Sequence, residues 1–411
     1  MTMRRSLAVM LAGALLAPLM AWADDFIVGA DVSTLAEVER HGGRFSQADG
    51  TPGDPLRILQ GAGVNWIRLR LWHTPVNAAD VVESGRLVSR KGDPVGGGNN
   101  GLDTTIALAR RAKAQGLKVL LDIHYSDFWA DPSTQTKPAA WTNLHGRALQ
   151  RALHDYTAST LDALDAAGAP PDMVQIGNET NAGMLWPDGQ TWSADKRAKI
   201  GGDAAFVELL RAGIAAVREH DARTGRRLPV MLHLAGGTDP QLCHHMFDMF
   251  RAQRLDFDVI GLSFYAYYHG HVADLKSNLD ELARRYRKPL VVVETASAFT
   301  LENGDATGNL VDADRAAKAG YPATVAGQAR AIRDVVDAVA TVPDGLGRGF
   351  FYWEPAWIAV EGAGWRTGEG NNWENQALFD FSGRALPSMQ ALRAPASVPA
   401  SPPASVPATA R

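Results

Sequence analysis

The sequence predicts an α/β fold, a (β/α)8 TIM barrel in a single domain, and three observations lead to it. Short apolar, β-rich runs recur along the chain, an amphipathic stretch follows most of them, and polar residues fall where the runs end. Apolar strands that alternate with helices are typical of a parallel sheet covered by helices. Eight such units in about 370 residues fit a barrel with extended βα loops, with an open doubly wound sheet as the alternative.

Eight segments are predicted as strands because they are short and rich in Val, Ile, Leu and aromatic residues. In chain order they are 26–32, 64–72, 117–125, 173–179, 229–235, 259–268, 290–295 and 349–357. Between them, the clearest amphipathic patterns predict helices over 104–115, 203–220 and 272–287. Gly116, just after the first of these, suits the residue that ends a helix.

The two ends of the chain differ in composition from this unit. Residues 1–23 contain two arginines, an apolar run and a final Ala-Trp-Ala, the pattern of a signal peptide, which predicts export to the periplasm or beyond. Residues 394–411 repeat Ala-Ser-Val-Pro-Ala and predict a disordered Pro/Ala/Ser-rich tail. The predicted catalytic domain is therefore 24–393.

Charge and cysteine content exclude some classes of partner. Loss of residues 1–23 removes two arginines and no acidic residue, so the net charge changes from -4 to -6. Mild acidity argues against nucleic acid and against anionic membrane as partners. The single cysteine, Cys243, excludes an intrachain disulfide. We expect a monomer, with no membrane association once the signal peptide is removed.

A barrel would bring the carboxyl ends of all its strands to one rim, where active sites of this fold lie. The residues that fall there are Asp31, Arg70, His124, Asn178, Glu179, His233, Tyr265, Glu294 and Trp353. Glu179 and Glu294 end apolar strands, where a carboxylate is costly to desolvate unless it is paired or functional. Two facing carboxylates suit the cleavage of a glycosidic bond, and salt-bridged rim acids are the alternative.

Tryptophans concentrate at the strand ends and in the loops that follow. They are Trp66, Trp72, Trp129, Trp141, Trp186, Trp353, Trp357, Trp365 and Trp373. Each one alone could simply pack in the core, but together on one rim they indicate a carbohydrate cleft, because exposed aromatic rings suit the apolar faces of sugars.

Several short blocks of the sequence resemble the motifs of a known enzyme family. They are 29–33 (GADVS), 67–72 (IRLRLW), 122–132 (DIHYSDFWADP), 176–180 (IGNET), 185–187 (LWP), 291–295 (VVVET) and 351–357 (FYWEPAW). In these blocks, which span nearly the whole predicted domain in order, the sequence resembles the endo-β-1,4-galactanases of glycoside hydrolase family 53.

The resemblance implies roles for individual residues. Glu179 would be the general acid/base and Glu294 the nucleophile of a retaining mechanism, while Asn178 would bind the 2-hydroxyl of the sugar. Arg70 or Arg68 would keep Glu294 ionised. Both point the same way along a strand, and Arg70 is preferred because it lies nearer the rim.

Other positions are predicted to contact substrate or the nucleophile. Tyr265 or Tyr267 would orient the nucleophile, and Trp353 would floor the subsite beside the bond. The remaining predicted substrate-binding residues are Asp31, His124, Asp127 and His233. For each histidine, a rim residue satisfied by the protein itself is the alternative.

The loop 301–309 (LENGDATGN) places oxygen-bearing side chains at alternating positions: Asn303, Asp305, Thr307 and Asn309. Such a pattern can wrap Ca²⁺, and Glu374 could add a carboxylate, while a plain turn is the alternative. The bacterial galactanases that the chain resembles carry a calcium loop here, with more acidic residues. The chemistry itself is expected to need no cofactor.

The predicted function is a retaining endo-β-1,4-galactanase that acts on the β-1,4-galactan side chains of pectin through a galactosyl-enzyme intermediate. One alternative is a barrel glycosidase for another β-1,4-linked polysaccharide, mannan or glucan. Another is a non-catalytic polysaccharide-binding protein, against which the presence of both carboxylates argues.

Overall fold

The computed structural model describes residues 26–83, 85–192 and 200–395. The predicted signal peptide lies outside the described residues. So does the predicted tail, apart from residues 394 and 395.

Eight parallel strands close into a barrel in chain order, with the last strand paired to the first. They are β1 (Ile27–Asp31), β2 (Trp66–Leu71), β3 (Lys118–Ile123), β4 (Met173–Ile176), β5 (Val230–Leu234), β6 (Val259–Ser263), β7 (Leu290–Thr295) and β8 (Gly347–Trp353). Each strand overlaps its predicted segment. The predicted (β/α)8 barrel is confirmed, and the open sheet is excluded.

Apolar side chains fill the inside of the barrel, where β1, β2 and β8 meet. Trp66 and Phe351 pack edge to face with ring centroids 6.4 Å apart. Gly29, the β1 residue paired with both of them, leaves the room that the Phe351 ring needs, because a Cβ at Gly29 would lie 2.1 Å from that ring. Trp66 therefore belongs to the barrel interior, although the sequence placed it among the rim tryptophans.

Helices surround the barrel. Those of the described residues are Leu35–Arg40, Pro55–Gly61, Leu102–Ala114, Gly146–Ala166, Asp203–Thr224, Pro240–Ala252, Ala266–His269, Val272–Tyr286, Ala313–Ala319 and Val325–Ala340. The three predicted helices are confirmed. Side chains cap the first turns of four of these helices, as where Asp239 accepts from the backbone N–H of Leu242 and fixes the start of Pro240–Ala252. No described helix is long and apolar enough to cross a membrane.

Three strands end at least three residues earlier than the sequence predicted, and in each case the chain turns at the rim. After β4, Gly177 and Glu179 have φ of 79° and 46°, and after β8 Glu354 has φ of 52°. A left-handed backbone cannot continue a strand. After β6 the chain bends into the short helix Ala266–His269. The active-site loops begin at these turns, so the turns decide where the rim side chains point.

Candidate active site

A cavity of about 430 Å³ opens at the carboxyl ends of the strands. Its walls include Glu179, Glu294, Asn178, Tyr265, Trp353 and Trp373. The two glutamates come from β7 and from the turn after β4, and the barrel brings them to one space, as expected for strand ends of this fold.

Glu294 lies in β7 and is almost fully buried, at 6% exposed. Its Oε1 lies 2.8 Å from Nη1 of Arg68, and its Oε2 accepts a hydrogen bond from the Tyr265 hydroxyl at 3.0 Å. A buried cation and a phenol both favour the ionised carboxylate. This carboxylate is held in one orientation by a donor at each oxygen.

Glu179 lies three residues beyond the end of β4, in a tight turn. Gly177 is required there by its positive φ and by crowding, since a Cβ would lie 2.7 Å from the Thr180 methyl group. The left-handed φ of Glu179 itself is unusual for a residue with a long side chain. Its Oε1 accepts the Ser263 hydroxyl at 2.6 Å. The turn thus directs this carboxyl into the cavity rather than along the barrel wall.

The surroundings separate the acidities of the two glutamates. Burial raises the pKa of both carboxyl groups, but Arg68 opposes the rise at Glu294. At Glu179 the nearby charge of Glu294 adds to the effect of burial and raises the pKa well above its ordinary value. Glu294 is therefore ionised over a pH range in which Glu179 still holds its proton.

Arg68 is the centre of a buried polar cluster beneath the cavity. Its guanidinium contacts Asp31 at 2.9 Å, Asp122 at 2.8 Å and the side-chain oxygen of Asn178 at 2.8 Å, besides Glu294. Arg68 is 1% exposed and both aspartates are fully buried. Three carboxylates around one guanidinium fix its position, and hence the position of the glutamate that it contacts.

Tryptophans form another wall of the cavity. Trp129 and Trp365 stack with centroids 4.5 Å apart and planes 18° from parallel, while Trp353 and Trp373 pack edge to face at 4.4 Å. Arg70 packs against this wall, with its guanidinium carbon 4.2 Å from the centroid of the Trp129 ring.

The position of Arg70 is set by a third rim carboxylate. Its Nη1 contacts Oε1 of Glu354 at 2.7 Å. Burial raises the pKa of Glu354 to about 7, and the carboxyl also accepts the Thr34 hydroxyl at 2.5 Å. This ion pair supports the tryptophan wall rather than the reacting carboxylates.

A second groove, of about 660 Å³, continues from the cavity past Trp129 and Trp365. The loop after β3 and the hairpin of Val81–Glu83 and Arg86–Ser89 contribute to its lining. The cavity and the groove together form an elongated, aromatic-lined cleft. In such a cleft, an ionised carboxyl group can attack the anomeric carbon of a glycosidic bond. A protonated carboxyl group can give its proton to the glycosidic oxygen.

Comparison with known proteins agrees with this geometry. The family model described as Glycosyl hydrolase family 53 matches residues 27–392. The chain belongs to glycosyl hydrolase family 53.

Relatives within family 53 match over most of their length. An endo-beta-1,4-galactanase of Bacillus subtilis (strain 168) is 36% identical, over 90% of this chain and 86% of its own. An arabinogalactan endo-beta-1,4-galactanase of Cellvibrio japonicus (strain Ueda107) is 32% identical, over 90% and 91%. The solved GH53 catalytic domain of Ignisphaera aggregans is 41% identical, with a TM-score of 0.81 over 93% of this chain and 99% of that domain.

These matches confirm the resemblance inferred from sequence, and the structure places most of the predicted site residues around the cavity. Those that line it are Arg70, His124, Asn178, Glu179, Tyr265, Glu294 and Trp353. His124 is 3% exposed, and its Nε2 lies 3.0 Å from Asp122, so the protein satisfies part of its hydrogen bonding.

Three residues predicted to bind substrate do not line this family 53 cavity. Asp31 and His233 are fully buried, and their polar atoms bind protein groups: Asp31 accepts from Arg68 and Ser33, and His233 contacts Ser263. Asp127 lies in the adjoining groove and accepts backbone N–H groups there. Asp31 and His233 therefore support the site from beneath.

Of the two arginines predicted to hold Glu294, the preferred one, Arg70, is wrong. Arg68 makes that contact, because its long side chain reaches up from one layer lower in the barrel, whereas Arg70 turns away to Glu354. Of the two predicted tyrosines, Tyr265 bonds the nucleophile candidate, and the Tyr267 hydroxyl bonds Gln376 at 2.9 Å.

The predicted calcium loop folds against Glu374. Asp305 accepts the backbone N–H groups of Thr307 and Asn371, and Asn309 donates to the side-chain oxygen of Asn303 at 2.6 Å. In the part of the chain that the structure describes, no group of three or more His, Cys, Asp or Glu could hold a metal ion. Yet among these residues Oδ1 of Asn309 and Oε2 of Glu374 are buried without hydrogen-bond partners. Such free oxygens are compatible with a hard cation.

Four residues of the site were not predicted as such. Asp122 and Gln175 interrupt apolar strands, and Glu354 follows a strand directly, so each carried a visible signal. Gln175 belongs to the site because its side chain accepts from Arg68 at 3.3 Å and donates to Asp122 at 2.6 Å. Ser263 carried none, because a serine at a strand end is ordinary. Its position becomes informative only when the fold brings it to Glu179.

Proposed function

We propose that this protein is a retaining endo-β-1,4-galactanase that cleaves β-1,4-galactan chains. The observation that carries the proposal is the pair of glutamates in one aromatic-lined cleft, one beside Arg68 and the other beside Ser263. The galactanase relatives of family 53 supply the substrate class.

In the first step, the Oε of ionised Glu294 bonds to the anomeric carbon of the galactose unit. The bond between that carbon and the glycosidic oxygen breaks, and Glu179 gives its proton to the departing oxygen. The differing surroundings of the two carboxyl groups provide both charge states in the same free protein.

In the second step, Glu179 is ionised and acts as a base. It takes a proton from a water molecule whose oxygen bonds to the anomeric carbon, and the bond to Glu294 breaks. Glu294 leaves as a carboxylate beside Arg68, and Glu179 regains its proton. Two inversions at the same carbon give overall retention.

Asn178 is suited to bind the 2-hydroxyl of the reacting sugar. Its side-chain oxygen accepts from Arg68, and its amide nitrogen donates to the Ala130 carbonyl at 2.8 Å. An amide nitrogen has two hydrogens. The second N–H is available to a sugar in the cavity that Asn178 lines.

Product analysis on linear β-1,4-galactan, mannan and cellulose, side by side, tests the substrate. We expect galactose oligomers from galactan alone, with internal cleavage lowering viscosity early. Release from mannan or cellulose at a similar rate would favour the alternative barrel glycosidases. Binding to galactan without release would instead indicate a polysaccharide-binding protein.

We also propose a structural Ca²⁺ between loop 301–309 and Glu374. Asp305, Asn309 and Glu374 would hold it, with Asn303 and Thr307 at the loop edge, and it would offset the repulsion between two nearby carboxylates. Excess chelator should lower the melting temperature, and added Ca²⁺ should restore it. An unchanged melting temperature would refute the site.

Export and a monomeric state are proposed from the sequence. Expression in a Gram-negative host with mass analysis of the mature N-terminus tests removal of residues 1–23. Light scattering tests the monomer.

A further inference from the structure

Ser263 joins the acid/base candidate to a buried histidine. At the end of β6, its hydroxyl donates to Oε1 of Glu179 at 2.6 Å, and the same oxygen lies 2.8 Å from Nε2 of His233. Ser263 and His233 are both fully buried. The three side chains form a short chain from the barrel interior to the cavity.

The backbone of Glu179 fixes the direction of these hydrogen bonds. Its N–H donates to Nδ1 of His233 at 3.3 Å, and the side-chain amide of Gln175 is a second donor to the same nitrogen at 3.1 Å. Oδ1 of Asn178 also lies 3.0 Å from Nδ1, but it accepts from the guanidinium of Arg68 at 2.8 Å. Because this nitrogen accepts, the ring proton of a neutral histidine lies on Nε2, which then donates to the Ser263 oxygen. The Ser263 hydrogen is consequently directed to Oε1 of Glu179.

A neutral ring fits its surroundings. Burial and the nearby charges of Arg68 and His124 lower the pKa of His233 well below its ordinary value. A ring that stays neutral keeps a single tautomer, so the chain keeps its direction across the pH range of activity.

We propose that Ser263 is a positioning residue that assigns the catalytic proton of Glu179 to Oε2. This inference rests on the proposed function of Glu179. Since Oε1 already accepts the Ser263 hydroxyl, the acidic hydrogen occupies the other oxygen, which faces the cleft. After that hydrogen has moved to the glycosidic oxygen, the same hydroxyl stabilises the new carboxylate at Oε1.

The backbone around Ser263 makes the side chain separable from the fold. Its carbonyl accepts from the N–H of Gly237 at 2.9 Å, and it is paired with Glu294 where the register between β6 and β7 shifts. These contacts persist when serine is replaced by alanine. Only the link through the hydroxyl, between the carboxyl group of Glu179 and Nε2 of His233, is lost.

The test compares Ser263→Ala with wild type on two substrates, through kcat/KM as a function of pH. One substrate is galactan, whose leaving group needs a proton, and the other is a dinitrophenyl β-galactobioside, whose leaving group does not. We expect a loss of about 10- to 100-fold on galactan and less than about 3-fold on the aryl substrate.

The basic limb of the galactan profile should also move to higher pH. The Ser263 hydrogen bond lowers the pKa of Glu179, so its loss raises that pKa further. The other groups that face Glu179 are Glu294, Arg68, Asp131, Tyr265 and His233, and the substitution retains all of them.

Two further variants separate positioning from folding. Ser263→Thr keeps a hydroxyl and should recover most of the galactan activity. Ser388→Ala removes another buried hydroxyl, which bonds Gln328 far from the cleft, and should leave both the substrate ratio and the basic limb unchanged. Equal losses on both substrates, or an unmoved basic limb, would overturn the proposal. No release of galactose oligomers by the wild type would instead refute the proposed function.

Discussion

The two halves of the cleft surround the same type of side chain in opposite ways. On the side of β1 to β3, Arg68 is enclosed by carboxylates and contacts Glu294. On the side of β4 to β6, the carboxyl group of Glu179 accepts the neutral hydroxyl of Ser263, which in turn contacts His233. The difference teaches that a barrel can keep one glutamate ionised and another protonated through the donors around each, with no change of residue type.

Backbone geometry follows the same division. Glu294 belongs to strand β7, whereas Glu179 lies in a left-handed turn after its strand ends. The strand gives the first carboxylate a rigid position among fixed donors. The turn gives the second a position open to the cleft, where a departing oxygen has to be protonated.

The largest expected effect comes from removing each carboxylate in turn. Glu294→Ala and Glu179→Ala should each reduce galactan hydrolysis by at least about 10⁴-fold, because the reaction loses its nucleophile or its proton donor. Azide as an added nucleophile distinguishes them on an activated aryl galactoside. The Glu179 variant should yield the β-galactosyl azide and the Glu294 variant the α-galactosyl azide, identified by NMR. The reverse stereochemistry would exchange the two roles.

The free energy of unfolding should depend strongly on the charged half of the cleft around Arg68. Arg68→Met leaves Asp31, Asp122 and Glu294 without their buried cation, and we expect a loss of about 3–5 kcal/mol in the free energy of unfolding. Arg111→Met is the matched control. Arg111 pairs with Glu39 at a partly exposed position, and its loss should cost at most about 1 kcal/mol. Urea unfolding measures both, and equal values would show that the buried cluster has no special role.

Tyr265→Phe should test the difference between the two glutamates through the pH dependence of kcat/KM. Its hydroxyl lowers the pKa of Glu294, so its removal raises that pKa and moves the acid limb of kcat/KM to higher pH. Activity at the optimum should fall about 10- to 100-fold. Tyr267→Phe, whose hydroxyl bonds Gln376, should leave the acid limb in place. A shift of the basic limb instead would mean that Tyr265 acts on Glu179.

The smallest effect is expected at the tryptophan wall, which serves both halves alike. Trp365→Ala removes a ring that stacks on Trp129, and KM for galactan should rise about 3- to 10-fold. Both pH limbs should stay where they are, because neither carboxyl group loses a donor. A fall in kcat alone would place Trp365 among the groups that act at the bond being cleaved.

The sequence was sufficient for the strand order and for most rim residues, because apolar runs with polar ends follow directly from the barrel architecture. It was insufficient to predict how deep in the barrel each side chain lies. Arg68 and Arg70 point the same way along β2, and which one reaches Glu294 depends on strand tilt and side-chain conformation, which periodicity does not contain.

The same limit explains the buried residues. Asp31 and His233 were expected in the cavity because they end strands, but each lies one layer below it and supports a neighbour. Ser263 could not be found from a single sequence, since its partners Glu179 and His233 come from other strands. Residues that act through contacts between strands become visible only when the barrel is closed.

The tryptophan wall should allow ligand binding to be followed by the intrinsic fluorescence of the protein. Of eleven tryptophans in the chain, Trp129, Trp353, Trp365 and Trp373 line the cavity. Indole emission depends on the polarity around the ring, so a bound oligosaccharide that displaces water from these rings should shift the emission to shorter wavelength. Occupancy of the cleft can thus be followed by light in a variant that cannot cleave its ligand, with no label attached.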